Sequence, residues 1–160
     1  MGLFGKKKVA ECVAKAFEKG KVVAMKDVDD PTFAQEILGP GVAIEPSEGV
    51  LYAPVDGTVS LVADSKHAVS VTSASGAELL MHLGIDTVEL KGEGFEAHVK
   101  AGDKVSVGDK LVSFDMEAIK KKGYKLTTPI ILCNKDDFKN IDVLASGDVA
   151  VGDDLIKFSN

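Results

Sequence analysis

The segment Ser65-Lys-His67-Ala-Val-Ser-Val-Thr-Ser-Ala-Ser-Gly76-Ala-Glu-Leu-Leu-Met-His82-Leu-Gly84-Ile-Asp86 holds two of the chain's three histidines, one on each side of a turn signal, Ser73-Ala-Ser-Gly76. Its flanks, 68–72 and 77–81, read as short strands of apolar and β-branched residues bounded by Ser and Gly. An even loop centred on Ala74 and Ser75 places His67 directly opposite His82, with Cβ atoms about 4.5–5.5 Å apart. A three-residue loop with Gly76 in the left-handed region slips the register by one and sends the two side chains to different faces. The expected arrangement is the even loop, with the imidazoles paired.

Outward from this hairpin the texture is all-β. Runs at 42–45, 49–52 and 57–62 precede it, punctuated by Pro, Gly, Asp and Ser at the spacing of a sandwich or barrel. Pro129-Ile-Ile-Leu-Cys133 is a fully apolar strand, and Lys21-Val-Val-Ala-Met25 another. A few short helical turns interrupt them. Asp30-Pro31 opens one that closes at Gly39, and Asp115 to Lys122, acidic at its start and basic at its end, forms the second before Gly123. A further turn is expected within 136–141. Val9, Val13, Ala16 and Phe17 recur at helical spacing among good helix formers, but the conformation of 9–17 stays open, helical or shifted; 1–20 is expected to be a tail or extension on a single domain spanning 21–160. Lys100 to Val112 is echoed by Ala145 to Ile156. Each copy carries Gly-Asp, then Val, Gly-Asp and Leu, and each reads as strand, tight turn and strand.

Composition narrows the function classes. A chain of 160 residues, 45% hydrophobic and 28% charged, buries an ordinary core without staples. Its net charge of −6, with no basic stripe, argues against a nucleic-acid partner. Cys12 and Cys133 have no metal or redox spacing and read as reduced thiols of a cytoplasmic protein. The start, Met1-Gly-Leu-Phe-Gly-Lys-Lys-Lys8, is too short in its apolar part for a secretory signal. A weak lipid contact through Leu3, Phe4 and the lysines is the functional alternative to a plain basic tail.

Three chemistries use a histidine pair. Zinc takes neutral imidazoles, but a catalytic site needs three protein ligands, and neither His-x-His nor His-Glu-x-x-His occurs. Nucleophilic hydrolysis needs an activated hydroxyl; Ser65 and Ser70 are near, yet no Gly-x-Ser-x-Gly elbow exists. A phosphohistidine relay needs one imidazole as nucleophile, a second donating to the phosphoryl oxygens, and an apolar rim that limits hydrolysis. The pair fits the third best, and the apolar residues around His82 (Leu79, Leu80, Met81, Leu83, Ile85 and Val88) are the expected rim. His98, with no second histidine near it, reads as structural.

The stretch Leu80-Met-His82-Leu-Gly-Ile-Asp-Thr-Val88, continued by Leu90-Lys-Gly-Glu-Gly-Phe95, resembles the phosphorylation-site signature of the glucose-type enzyme IIA family of the bacterial sugar phosphotransferase system. Asp30-Pro-Thr-Phe33, Gly39 to Ile44, Ala53-Pro-Val-Asp-Gly57 and Lys66-His-Ala-Val69 match in the same order, so the likeness is dense from Val22 to Asn134. It implies an antiparallel β-sandwich built from a duplicated hybrid motif. It implies that His82 accepts a phosphoryl group, through Nε2, and that His67 is the stabilising partner. Ser65 stands where the family carries a hydroxyl near that partner, and Asp86 where it carries an acidic rim residue. The implied donor is the histidine-containing phosphocarrier protein, HPr, and the implied acceptor a cysteine of an enzyme IIB domain of a sugar permease. Such a phosphotransferase component is a cytoplasmic monomer that turns over no small substrate by itself and works without a cofactor. Its unphosphorylated form can bind regulatory target proteins, with a zinc shared at His67 and His82.

Two departures are visible. The family's Ala-Pro-x-x-Gly piece is Ala16-Phe-Glu-Lys-Gly20 here, without the proline, and Thr32 precedes Phe33 on the docking face. Two other readings use the same architecture. A zinc peptidase lacks its ligand motif, and a lipoyl-like module lacks a lysine at a clear turn, since Lys104 and Lys110 lie within the repeat.

Overall fold

A computed structural model describes residues 11–160. In chain order the strands are β1 (Cys12–Lys15), β2 (Gly20–Ala24), β3 (Gly41–Pro46), β4 (Val50–Tyr52), β5 (Gly57–Val62), β6 (Ala68–Ser73) and β7 (Glu78–His82). They continue with β8 (Phe95–Ala97), β9 (Lys104–Val105), β10 (Lys110–Phe114), β11 (Thr128–Leu132), β12 (Asn140–Val143), β13 (Asp148–Val149) and β14 (Asp154–Ser159). Two short helices intervene, α1 (Pro31–Ala34) and α2 (Met116–Lys121). The Asp30 and Asp115 carboxylates cap them, accepting from the Thr32 and Ala118 amides respectively.

All strand pairs are antiparallel. One eight-stranded sheet runs β13-β2-β3-β11-β7-β6-β5-β9, and two three-stranded sheets run β1-β14-β12 and β4-β10-β8. The main core fills the space between them, with Phe17, Ile44, Leu79, Met81, Ile130 and Phe158 fully buried. A second, smaller cluster lies on the other face of the large sheet: Met25, Val28, Phe33, Ala43, Ile85 and Ile131. Covering both faces explains why every residue of β11 is buried and why its sequence is apolar without alternation. This second cluster is the floor beneath the histidines.

The sequence echo is a structural duplication. In each copy the turn is closed by an aspartate: Ser106 N donates to Asp109 at 2.8 Å, and Ala150 N to Asp153 at 2.9 Å. The first strand of each copy, β9 or β13, ends the large sheet at one of its two edges. The second, β10 or β14, is the middle strand of a three-stranded sheet.

The conformation left open for 9–17 is a strand over Cys12–Lys15, not the helix that its spacing allowed. Cys12, Ala14 and Ala16 alternate inward, and β1 pairs with β14 from Cys12 to Lys15. Residues 12–20 are therefore part of the packed fold rather than an extension of it. The expected lipid contact through Leu3 and Phe4 lies outside the described residues. The turn expected within 136–141 is a single 3-10 turn at Lys135–Asp137, after which β12 begins at Asn140.

Candidate functional site

The hairpin closes through a three-residue loop. Ala68 faces His82 and Thr72 faces Glu78, and Gly76 adopts a φ of 101°. Asn134 fixes this choice, its Nδ2 donating to Gly76 O and its Oδ1 accepting from Glu78 N, both at 2.9 Å. The even loop that would have placed His67 directly opposite His82 is not formed. The imidazoles nevertheless meet. His67 precedes β6, in a bend where Lys66 has a φ of 61°, and there the strict alternation of a strand no longer applies. His67 O accepts from Leu83 N at 2.6 Å, and the two rings lie edge to face, 4.8 Å between centroids and 79° apart.

His82 ends β7, and the next five residues hold its ring. Nδ1 lies 2.7 Å from the carbonyl oxygen of Gly84. A carbonyl only accepts, so Nδ1 carries the proton and Nε2 keeps a free lone pair. Gly84 has a φ of 82°, and a Cβ there would lie 2.7 Å from Lys125 O. Ile85 N donates to that same Lys125 oxygen at 3.0 Å, and Thr87 Oγ1 donates to Leu83 O at 2.5 Å. Gly84→Ala is therefore expected to lose about 2 kcal/mol or more of stability, since both the dihedral and the contact oppose a side chain. Urea unfolding measures this, and an unchanged midpoint would mean that the loop is not held as described.

Phe33, on α1, packs against the other side of His82, 5.1 Å between centroids. The expected apolar rim is only partly correct. Leu79, Met81 and Leu83 are fully buried and Ile85 nearly so, because they point into one or other core. Of the expected rim, Val88 is exposed (50%), beyond the Gly84 loop; Ile37 (66%) and Leu38 (48%), which follow α1, are exposed apolar residues outside that expectation. Ile37 and Leu38 were hidden in the sequence because they sat at the end of an expected helical turn.

Burial pulls both histidines below their ordinary pKa. For His67, burial is the main cause, with the neighbouring His82 adding to it. For His82, burial is opposed by the Gly84 carbonyl and by the charges of Asp30 and Asp86. In a histidine NMR titration both rings are expected to change charge below 6.5. The unfolded chain then binds more protons than the folded one, so the pair costs stability as pH falls below 6.5. A ring titrating above 6.5 would contradict the packing.

Asp86 is exposed and close enough for its charge to act on His82. Asp30, which sequence reasoning noted only as a helix opener, acts on His82 in the same way. Ser65 is not joined to the pair: His67 Nδ1 is buried without a hydrogen-bond partner, and the left-handed turn at Lys66 separates the two residues. His98 is exposed on β10's sheet, its Nε2 2.7 Å from Ser113 Oγ.

Comparison with known proteins agrees with this geometry. Residues 13–138 match the family described as phosphoenolpyruvate-dependent sugar phosphotransferase system, EIIA 1. The chain belongs to this EIIA family. It is 46% identical over 137 residues to the glucose-specific EIIA component of Oceanobacillus iheyensis, covering 86% of this chain and 83% of that one. It is also 46% identical over 141 residues to the β-glucoside-specific EIIBCA component of Bacillus subtilis, 88% of this chain but 23% of that longer protein. Among solved structures, the glucose permease IIA of Mycoplasma capricolum superposes with a TM-score of 0.85 at 33% identity, covering 98% of this chain and 99% of that one. The all-β sandwich expected from the sequence is thus the EIIA fold. No helix among the described residues is long and apolar enough to cross a membrane. A zinc peptidase centre has no ligand set, since among the described residues no group of three metal-binding side chains comes together.

Proposed function

We propose that this EIIA chain is a phosphohistidine carrier for glucose-class sugar uptake, loaded at His82 by phosphorylated HPr and unloaded onto an enzyme IIB cysteine. The observation that carries the reading is the Nδ1–H bond to Gly84 O, which leaves Nε2 of a neutral imidazole as the nucleophile, beside His67.

In loading, the Nε2 lone pair forms a bond to phosphorus as the donor's N–P bond breaks and its electron pair returns to the donor imidazole. The proton stays on Nδ1, hydrogen-bonded to Gly84 O, so the product is a phosphoimidazolium, a ready leaving group. In unloading, a partner thiolate forms the S–P bond while the Nε2–P electron pair returns to His82, regenerating the neutral ring. His67, its Nδ1 sealed in the protein, offers Nε2 to the phosphoryl oxygens. Ile37, Leu38 and Val88 form the apolar surface on which a partner seats, and that contact keeps water from the phosphoryl group. Asp30 and Asp86 favour a partner with basic side chains around its own reactive residue. Both partners and the reaction belong to the cytoplasm.

The Oceanobacillus relative's glucose-specific name supports the sugar class, and the Bacillus relative, whose name joins an EIIA with EIIB and EIIC portions, supports the choice of acceptor. Intact mass after incubation with phosphoenolpyruvate, enzyme I and HPr tests the reading. One acid-labile phosphoryl addition is expected, and no addition would overturn it.

A further inference from the structure

Glu18 sits in the connection between β1 and β2 with none of its surface exposed. Among the described residues no ion pair reaches it. Its Oε2 is 3.0 Å from Thr128 Oγ1, and its Oε1 has no partner. The same Thr128 hydroxyl is 2.8 Å from the Leu126 carbonyl oxygen. A hydroxyl has one proton to give. If Glu18 is a carboxylate, two buried acceptors compete for that proton and one is left bare. If Glu18 carries a proton, it donates to Thr128 Oγ1, and Thr128 donates to Leu126 O. Only the protonated carboxyl completes the chain.

The surroundings offer no counter-charge. From β3 the group that faces Glu18 is Glu45, another carboxylate, which accepts from Thr127 Oγ1 at 2.8 Å. β11 carries no charged residue. On Glu18's own segment Lys19 is exposed and Lys15 is paired with Asp154, while Lys125, near Thr127 in sequence, is paired with Asp29. Burial pushes the Glu18 carboxyl well above the usual carboxylate range, the Thr128 hydroxyl pulls it down, and the Glu45 charge pushes it up.

We propose that Glu18 is a proton-holding latch: at neutral pH its carboxyl is a neutral acid bonded to Thr128, and loss of that proton lifts the β1–β2 connection off the sheet. The connection itself carries the fully buried Phe17, and the strand that leads into it is the weaker part. β1 has four residues, lies at the edge of its sheet and is irregular between Ala14 and Lys15. The connection is tied by bonds such as Ala16 N to Asp153 O, Tyr52 N to Phe17 O and Ser47 N to Lys19 O. Breaking these lets water reach the carboxylate while the histidine site, on β7 and its following loop, stays assembled. A raised carboxyl pKa means that the folded chain holds a proton the unfolded chain has lost, so stability falls as pH rises through the folded value. This inference does not depend on the phosphoryl-carrier reading.

The test uses the wild-type chain and Glu18→Gln, whose side-chain amide donates to Thr128 Oγ1 as the acid does. Infrared difference spectra at neutral pH are expected to contain a protonated carboxylic acid band that the variant lacks. Hydrogen exchange of the β1 amides, corrected for intrinsic base catalysis, is expected to lose protection by up to about tenfold per pH unit as pH rises from the ordinary carboxylate range to the folded pKa, and to level off above it, in the wild type only. An ionised Glu18 in the folded wild type at neutral pH would overturn the proposal, as would the same pH slope in Glu18→Gln. If that variant does not fold, titration of the wild-type carboxyl alone decides.

Discussion

His82→Ala is expected to take up no phosphoryl group, whatever the excess of phosphorylated HPr, while keeping the wild-type fold. The reason is the absence of a second competent nitrogen. His67 keeps Nδ1 buried in the protein, and no carbonyl fixes its proton as Gly84 O does for His82. His98 lies in a different sheet, bonded to Ser113, away from Phe33 and the exposed apolar residues that would seat a donor. Removing the imidazole trims a half-buried ring between Phe33 and His67, and most of the fold never touches it. Intact mass with a thermal unfolding curve on the same sample reads both quantities. Phosphoryl uptake by the folded variant, mapped to another residue, would sink the assignment of His82.

The second large effect is kinetic. His67→Gln is expected to load fully, because the nucleophile is intact and excess donor drives the endpoint regardless of rate. Onward transfer to the enzyme IIB cysteine is expected to slow by roughly 10²–10³-fold, the usual cost of losing one well-placed donor to developing negative charge. Glutamine retains an N–H, but on a flexible chain instead of a ring fixed by its place beside β6. Rapid-quench transfer from the phosphorylated variant measures it. A variant that cannot be loaded would mean that the two histidines share or exchange roles, and one that transfers at the wild-type rate would remove His67 from the chemistry.

The histidine hairpin was legible in outline but not in register. Strand boundaries around Ser73 and Gly76 followed from turn chemistry, whereas the loop length is set by Asn134, which reaches in from 58 residues away in sequence. The pair survived the wrong register because Lys66 takes a positive φ, and lysine gives no sign of that conformation, as glycine or asparagine would. The N-terminal strand was ambiguous in the sequence for another reason. Alanine, glutamate and lysine favour helix, and pairing with β14 outweighs so weak a preference. Capping aspartates, by contrast, acted locally, and both helices began where Asp30 and Asp115 indicated. Family resemblance supplied what local reading could not, the roles proposed for His82 and His67. The buried carboxyl of Glu18 was invisible to both, since a charged residue between Phe17 and Lys19 reads as surface.

The duplicated turn has a consequence for how the chain behaves in a crowded solution. An eight-stranded sheet with bare ends is a template on which other chains can polymerise. Here each end is a strand of only two residues, Lys104-Val105 at one side and Asp148-Val149 at the other. Both turn the valine inward and leave the charged residue exposed, lysine at one end and aspartate at the other. Neither end gives a neighbour enough unpaired backbone to nucleate a fibril. A protein that, under the proposed function, offers one apolar patch to successive partners can therefore accumulate without that sheet becoming sticky at its margins.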